Sequence, residues 1–111
     1  MRPRLVLSVA LAAALACSGE EASDAQAALA KRGEQVYLNN CTACHARDPR
    51  QPGPIGPPVA SASLALLEAK MLRNEYPPGY TPQRDTQAMI PLVHLEPELP
   101  ALAAYLAAEA Q

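Results

Sequence analysis

The stretch that most restricts this chain is Cys41-Thr42-Ala43-Cys44-His45. Two cysteines three positions apart fall on one face of a helical turn, where both thiols can reach the edge of a single flat group. A histidine directly after them can swing its imidazole beneath the same group. This is the pattern by which c-type haem is held: two thioether bonds to the porphyrin vinyls and a histidine to the iron. A Cys-x-x-Cys pair can also be a dithiol redox couple, but such pairs usually open the helix of a strand–helix unit, and no strand pattern precedes Cys41. Half of a zinc site is the other reading, and the chain holds no second Cys-x-x-Cys or histidine pair to complete four ligands. The motif therefore predicts one haem c, attached through Cys41 and Cys44, with His45 as proximal iron ligand.

The chain ahead of the motif speaks to compartment. Arg2 and Arg4 precede an uncharged apolar run from Leu5 to Ala16, and Ala14-Leu15-Ala16 offers small residues at a cleavage position. That is the pattern of a secretory signal peptide over residues 1–16, too short to serve comfortably as a permanent membrane span. Cys17 follows at once, and Ala-Leu-Ala-Cys-Ser resembles a bacterial lipobox, which predicts a lipidated Cys17. Ordinary cleavage that releases a soluble protein is the alternative. Residues 17–27 carry Glu20, Glu21 and Asp24 among Ser, Gly and Ala, and with nothing to bury they read as a flexible acidic tether.

Residues 28–111 form the domain. A chain this short normally needs a staple, and with no Phe or Trp and only four Tyr its protein core would be thin. A covalently held porphyrin would serve as that core. From Cys17 onward seven Lys/Arg stand against eleven Asp/Glu, a formal −4. That balance argues against nucleic acid and anionic membrane surfaces as partners.

Ala28–Asn39 has the spacing of a helix, with Leu29, Val36 and Tyr37 on one face. Gly33 inside it costs about 1 kcal/mol relative to Ala, which makes sense if another helix crosses there. Gly33-x-x-x-Tyr37-x-x-x-Cys41 resembles the N-terminal helix of the class I cytochromes c. Gly56-Pro57-Pro58, twelve residues past His45, resembles that family's Gly-Pro segment, and the resemblance implies that the Pro57 carbonyl orients the His45 ring. It likewise implies an all-α fold of three to four helices wrapped around one haem.

Arg47–Val59 carries five prolines and two glycines and must be an extended loop. Ser63–Asn74 is the next predicted helix, capped by Ser61 or Ser63, with Leu64, Leu67 and Met71 at helical spacing. Met71 reads as core rather than as a sulfur ligand. Glu75–Pro82 is irregular; Tyr76 and Tyr80 can donate to haem propionates with Arg84 adding charge, or simply wall the pocket. Met89, just ahead of the last helix in Ala88-Met89-Ile90-Pro91, resembles the family's methionine-ligand loop, with Ile90 between Met and Pro. The resemblance makes Met89 the distal iron ligand; His94, the other histidine, reads as a surface residue. Pro97–Glu109 closes the chain as a helix, and the resemblance pairs its Tyr105 with Gly33.

The expectation is a mono-haem electron carrier of the bacterial periplasm, monomeric, soluble or lipid-anchored, and working with redox partner proteins of the respiratory chain. It is not an enzyme: the sequence offers no catalytic constellation and no phosphate loop. An electron-accepting subunit of a periplasmic dehydrogenase or oxidase, and a haem sensor with a displaceable sixth ligand, are the competing readings.

Overall fold

A computed structural model describes residues 17–111, so the predicted signal peptide lies outside the described residues. Helix α1 spans Cys17–Asn40, α2 Leu64–Arg73 and α3 Leu99–Glu109, with a 3₁₀ segment over Val93–Glu98 leading into α3. No strand occurs among the described residues, as an all-α fold requires.

α1 begins well before the expected Ala28. The stretch 17–27, read above as a flexible tether, is helical. Ala, Glu and Gln, which dominate it, are good helix formers, and extending an existing helix avoids the cost of nucleation. Tertiary packing adds little, since every residue from Gly19 to Leu29 is exposed. Leu29, placed by its spacing on the inner face, is also exposed; burial begins one turn later, at Gly33, Val36 and Tyr37.

At Gly33 α1 crosses α3 in backbone contact. A Cβ there would overlap the Ala101 carbonyl and press on the Cβ of Tyr105, so only glycine permits this approach. Tyr105 packs beside that crossing, its ring 5.6 Å from that of Tyr37 and tilted by 51°. Arg32 of α1 also forks onto Glu98 at the end of the 3₁₀ segment, with Nε donating to Oε2 over 3.0 Å. The guanidinium holds the Glu98 carboxyl below the usual glutamate range. This pair lies at the surface, where solvent screens it.

α2 is closed at both ends by side chain and backbone. The Ser63 hydroxyl accepts from the Leu66 N–H over 3.1 Å, a standard N-cap bond. Asn74 turns left-handed at φ 54°, and the Glu75 N–H reaches back to the Ala69 carbonyl over 3.0 Å. The C-terminal helix starts later than Pro97. Neither Pro97 nor Pro100 can donate, so the chain runs as 3₁₀ to Glu98, and α3 proper begins at Leu99 with Pro100 in its first turn.

Val36 and Tyr37 of α1, Leu67 and Met71 of α2, Leu95 of the 3₁₀ segment and Leu99, Leu102, Tyr105 and Leu106 of α3 make one core. α1 and α2 both pack on α3 and barely on each other. Between them lies an apolar cavity lined by residues of all three helices.

Candidate functional site

The cysteine motif continues the α1 spiral for one more turn. The Cys41 N–H donates to the Tyr37 carbonyl over 2.9 Å, and the His45 N–H to the Cys41 carbonyl over 2.9 Å. Asn40 and Thr42 side chains donate to the Val36 and Leu38 carbonyls over 2.8 and 3.1 Å, and Leu38 is among the carbonyls for which the ending helix offers no partner. Cys41 and Cys44 thereby stay on one turn, both thiols free.

The Pro-rich loop then folds back onto this turn. The Cys44 carbonyl accepts from both Ile55 and Gly56, over 3.2 and 2.7 Å, while the Pro49 carbonyl accepts from Val59 and Ala60 over 2.8 and 3.0 Å. The Tyr37 hydroxyl donates to the Ala46 carbonyl over 2.6 Å. The loop needs no sheet or helix, because the carbonyls at its base supply its acceptors and its prolines have little entropy to lose.

This fold-back places the Pro57 carbonyl 2.9 Å from His45 Nδ1. A carbonyl can only accept, so Nδ1 donates, and in the neutral ring this leaves the lone pair on Nε2. The neighbouring Gly56 is buried against the imidazole, and a Cβ there would overlap the ring. Gly56→Ala should therefore turn the imidazole off its axis and cut haem incorporation at least several-fold. Pyridine haemochrome absorbance per mole of purified protein measures this, and loading equal to wild type would disprove it.

Cys41, Cys44 and His45 open onto an apolar cavity of ≈ 440 Å³, within the range of small-molecule and cofactor sites. Its other walls come from Leu67 and Met71 of α2, Leu102 and Leu106 of α3, and Met89. Met89 is half-buried and packed against the core. Its loop is tied to α2 by the Leu92 N–H, which donates to the Met71 carbonyl over 2.8 Å. Met71 is buried within the core and reaches the cavity as wall. His94 is exposed on the 3₁₀ segment and is not part of the lining.

The 75–86 segment closes another side. Pro77-Pro78-Gly79-Tyr80 is a tight turn with Gly79 at φ 79° and the Tyr80 N–H on the Pro77 carbonyl over 3.1 Å. The Tyr76 and Tyr80 rings stack at 5.5 Å. Gln83 Nε2 donates to the Pro58 carbonyl over 2.9 Å, and Arg84 donates to the carbonyls of Ile55 and Gly53. Sequence reasoning missed one residue here: Lys70, buried at 8 % exposure, lines the cavity from α2. Its position three residues after Leu67 was the available signal.

Thiol chemistry fits this pocket poorly. Burial pushes the Cys41 thiol up to about 11, whereas dithiol exchange depends on a thiolate. The Tyr37 phenol is pushed up to about 12, chiefly by burial. Among the described residues no three His, Cys, Asp or Glu side chains gather as a metal cluster. What the pocket fits is a flat apolar group that brings its own metal. The two thiols share a turn, the imidazole is held by its far nitrogen, and Gly56 clears the space beside the ring.

A small all-α domain built around such a cavity is the frame of a mono-haem c-type protein. The family model for cytochrome c matches residues 30–108, and the chain belongs to the cytochrome c family. Its fold is the cytochrome c-like all-α fold, its cofactor is covalently attached haem c, and its general role is electron carriage. No curated protein and no solved structure matches the chain.

Proposed function

We propose that this chain is a mono-haem, one-electron carrier of the bacterial cell envelope, in which Cys41 and Cys44 would hold haem c and His45 and Met89 would ligate its iron. The observation that carries this reading is the convergence of those four side chains on one apolar cavity. The bond from His45 Nδ1 to the Pro57 carbonyl leaves Nε2 to ligate and raises its basicity, so Pro57 and Gly56 act as positioning residues. A neutral methionine thioether together with a histidine as iron ligands would favour ferrous iron and raise the potential. Two protein ligands leave no coordination position for a substrate, which makes the protein a carrier and not an enzyme.

Export through residues 1–16 would deliver the chain to the periplasm, soluble or anchored by lipid on Cys17. Among the described residues no helix is long and apolar enough to cross a membrane. Redox partner proteins with a basic or mixed docking face suit the formal −4 of residues 17–111, and encounters of this kind are small and weak. The protein acts as a monomer. The bonds of Gln83 and Arg84 to the Pro-rich loop favour a wall role for the 75–86 segment over a docking role. The packing of Met89 against the core favours a retained sixth ligand over a sensor's displaceable one.

Oxidised and reduced absorption spectra test the proposal, recorded on protein from a host equipped for haem attachment. The expected result is a low-spin reduced c-type spectrum, the sulfur-to-iron charge-transfer band in the oxidised form, and no carbon monoxide binding at neutral pH. Absence of the band together with ready carbon monoxide binding would remove Met89 and favour the sensor. Protein without covalent haem would overturn the reading altogether.

A further inference from the structure

Between α2 and the 3₁₀ segment, residues 76–91 run without helix or strand, and a connection of that kind in a small domain usually serves a site. Among the described residues, the hydrogen bonds that lead out of this stretch come from two adjacent side chains. Gln83 Nε2 donates to the Pro58 carbonyl over 2.9 Å, and Arg84 forks onto the carbonyls of Ile55 and Gly53, the latter over 3.4 Å. All three acceptors lie within residues 53–58 of the Pro-rich loop, and no backbone N–H of the described residues reaches any of them.

Those same residues set His45. The Pro57 carbonyl holds Nδ1, and Gly56 lies against the ring. Gly53 sits so close to the cysteine motif that a Cβ on it would overlap the Cys44 carbonyl and His45 Cα. The amides of this stretch are spent inward: Ile55 and Gly56 donate to the Cys44 carbonyl, and Gly53 to the Gly56 carbonyl over 2.9 Å. Pro54, Pro57 and Pro58 have no N–H to add. Donors that fasten the outward carbonyls must therefore come from another segment. Arg84 supplies them beside Gly56, and Gln83 beside Pro57.

We propose that Arg84 and Gln83 form a strap that holds the 53–58 loop in the conformation that orients His45, and so act as positioning residues that couple His45 to the segment bearing Met89. Met89 follows Arg84 on the same irregular run, and both line the cavity. Arginine suits the task, because its rigid fork of N–H donors can take two carbonyls at once, and bonds from a charged donor are stronger than neutral ones. The proposal rests on the reading of His45 and Met89 as iron ligands.

Haem-loaded Arg84→Met tests it beside wild type, since the change keeps an apolar stem and removes every donor. By NMR of the reduced protein, the His45 Nδ1 proton should exchange with solvent about fivefold faster, and the oxidised protein should bind added imidazole about fivefold more tightly, as expected for one lost bond at a partly exposed site. Arg84→Lys keeps a charged donor without the fork and should recover part of both changes. Gln83→Leu, at an exposed position, should speed Nδ1 exchange by a smaller factor. Wild-type exchange and imidazole affinity in a fully loaded Arg84→Met protein would overturn the strap, even if that protein melts at a lower temperature. A crystal structure of the haem-loaded wild type gives a check that needs no variant: Arg84 should remain on the Gly53 and Ile55 carbonyls, and an Arg84 turned away from both overturns the proposal. Protein without covalent haem, or loaded protein without the sulfur-to-iron band, counts against the ligand reading, whereas loaded protein with the band and unmoved Nδ1 exchange counts against the strap alone.

Discussion

Met89→Ala is expected to give a folded, red protein whose midpoint potential falls by about 0.2 V, a modest part of the ~0.8 V over which axial ligands set haem potentials. Met89 is half-buried at the core's edge, so truncation costs some packing without emptying the centre of the domain. Cys41, Cys44 and His45 are held by bonds that do not involve Met89, so attachment should be unaffected. What disappears is the thioether that favours ferrous iron. The ferrous variant should bind carbon monoxide at neutral pH, and the charge-transfer band of the oxidised protein should vanish. The competing ligands make distinct forecasts. Were His94 the sixth ligand, Met89→Ala would leave spectrum and potential near wild type, while His94→Ala would change both. Were Met71 the ligand, its substitution would open the iron, but at the cost of a residue that is 2 % exposed in the core. A wild-type spectrum in Met89→Ala would end the assignment.

The site was easier to read in the sequence than the boundaries of the elements around it. Cys41, Cys44 and His45 announce themselves because their chemistry depends on local spacing, and a helical turn reproduces that spacing in space. The contact between His45 and the Pro57 carbonyl spans twelve positions of irregular loop, where no periodicity operates. It is legible only through the Gly56-Pro57-Pro58 resemblance. The helical stretch from Cys17 to Ala27 is hard to see in the sequence because periodic burial is the main signal for helix, and an exposed Ala-rich segment has none; propensity sets its state. The start of α3 is hidden in the sequence for another reason. Pro97 and Pro100 are each tolerated in a first turn, and the sequence does not distinguish a 3₁₀ entry from an α one.

Gly33→Ala and Gly19→Ala make the same chemical change in the same helix and should move stability in opposite directions. Each substitution removes backbone freedom from the unfolded chain and improves helix propensity by up to about 1 kcal/mol. At Gly19 a Cβ meets nothing within 4 Å, so the gain stands, reduced by fraying near the helix start, and thermal stability should rise slightly. At Gly33 the added methyl meets the Ala101 carbonyl and the root of the Tyr105 side chain, neither of which can rotate away. The helices must part, and α1 against α3 is the principal contact of the domain. Overpacking of this kind costs about 1–3 kcal/mol or more, here at the upper end because backbone rather than a flexible tip is struck. Set against the propensity gain, the net loss is about 2 kcal/mol, or roughly 8–16 °C in melting temperature for a domain of this size. Calorimetry on both haem-loaded variants measures it. Separating α1 from α3 also loosens Tyr37, whose hydroxyl holds the Ala46 carbonyl just past the haem motif. Gly33→Ala should therefore lower haem loading as well as stability, while Gly19→Ala leaves loading intact. A Gly33→Ala protein that melts at or above the wild-type temperature would mean the crossing is looser than Gly33 and Ala101 define it, and that glycine there is merely tolerated.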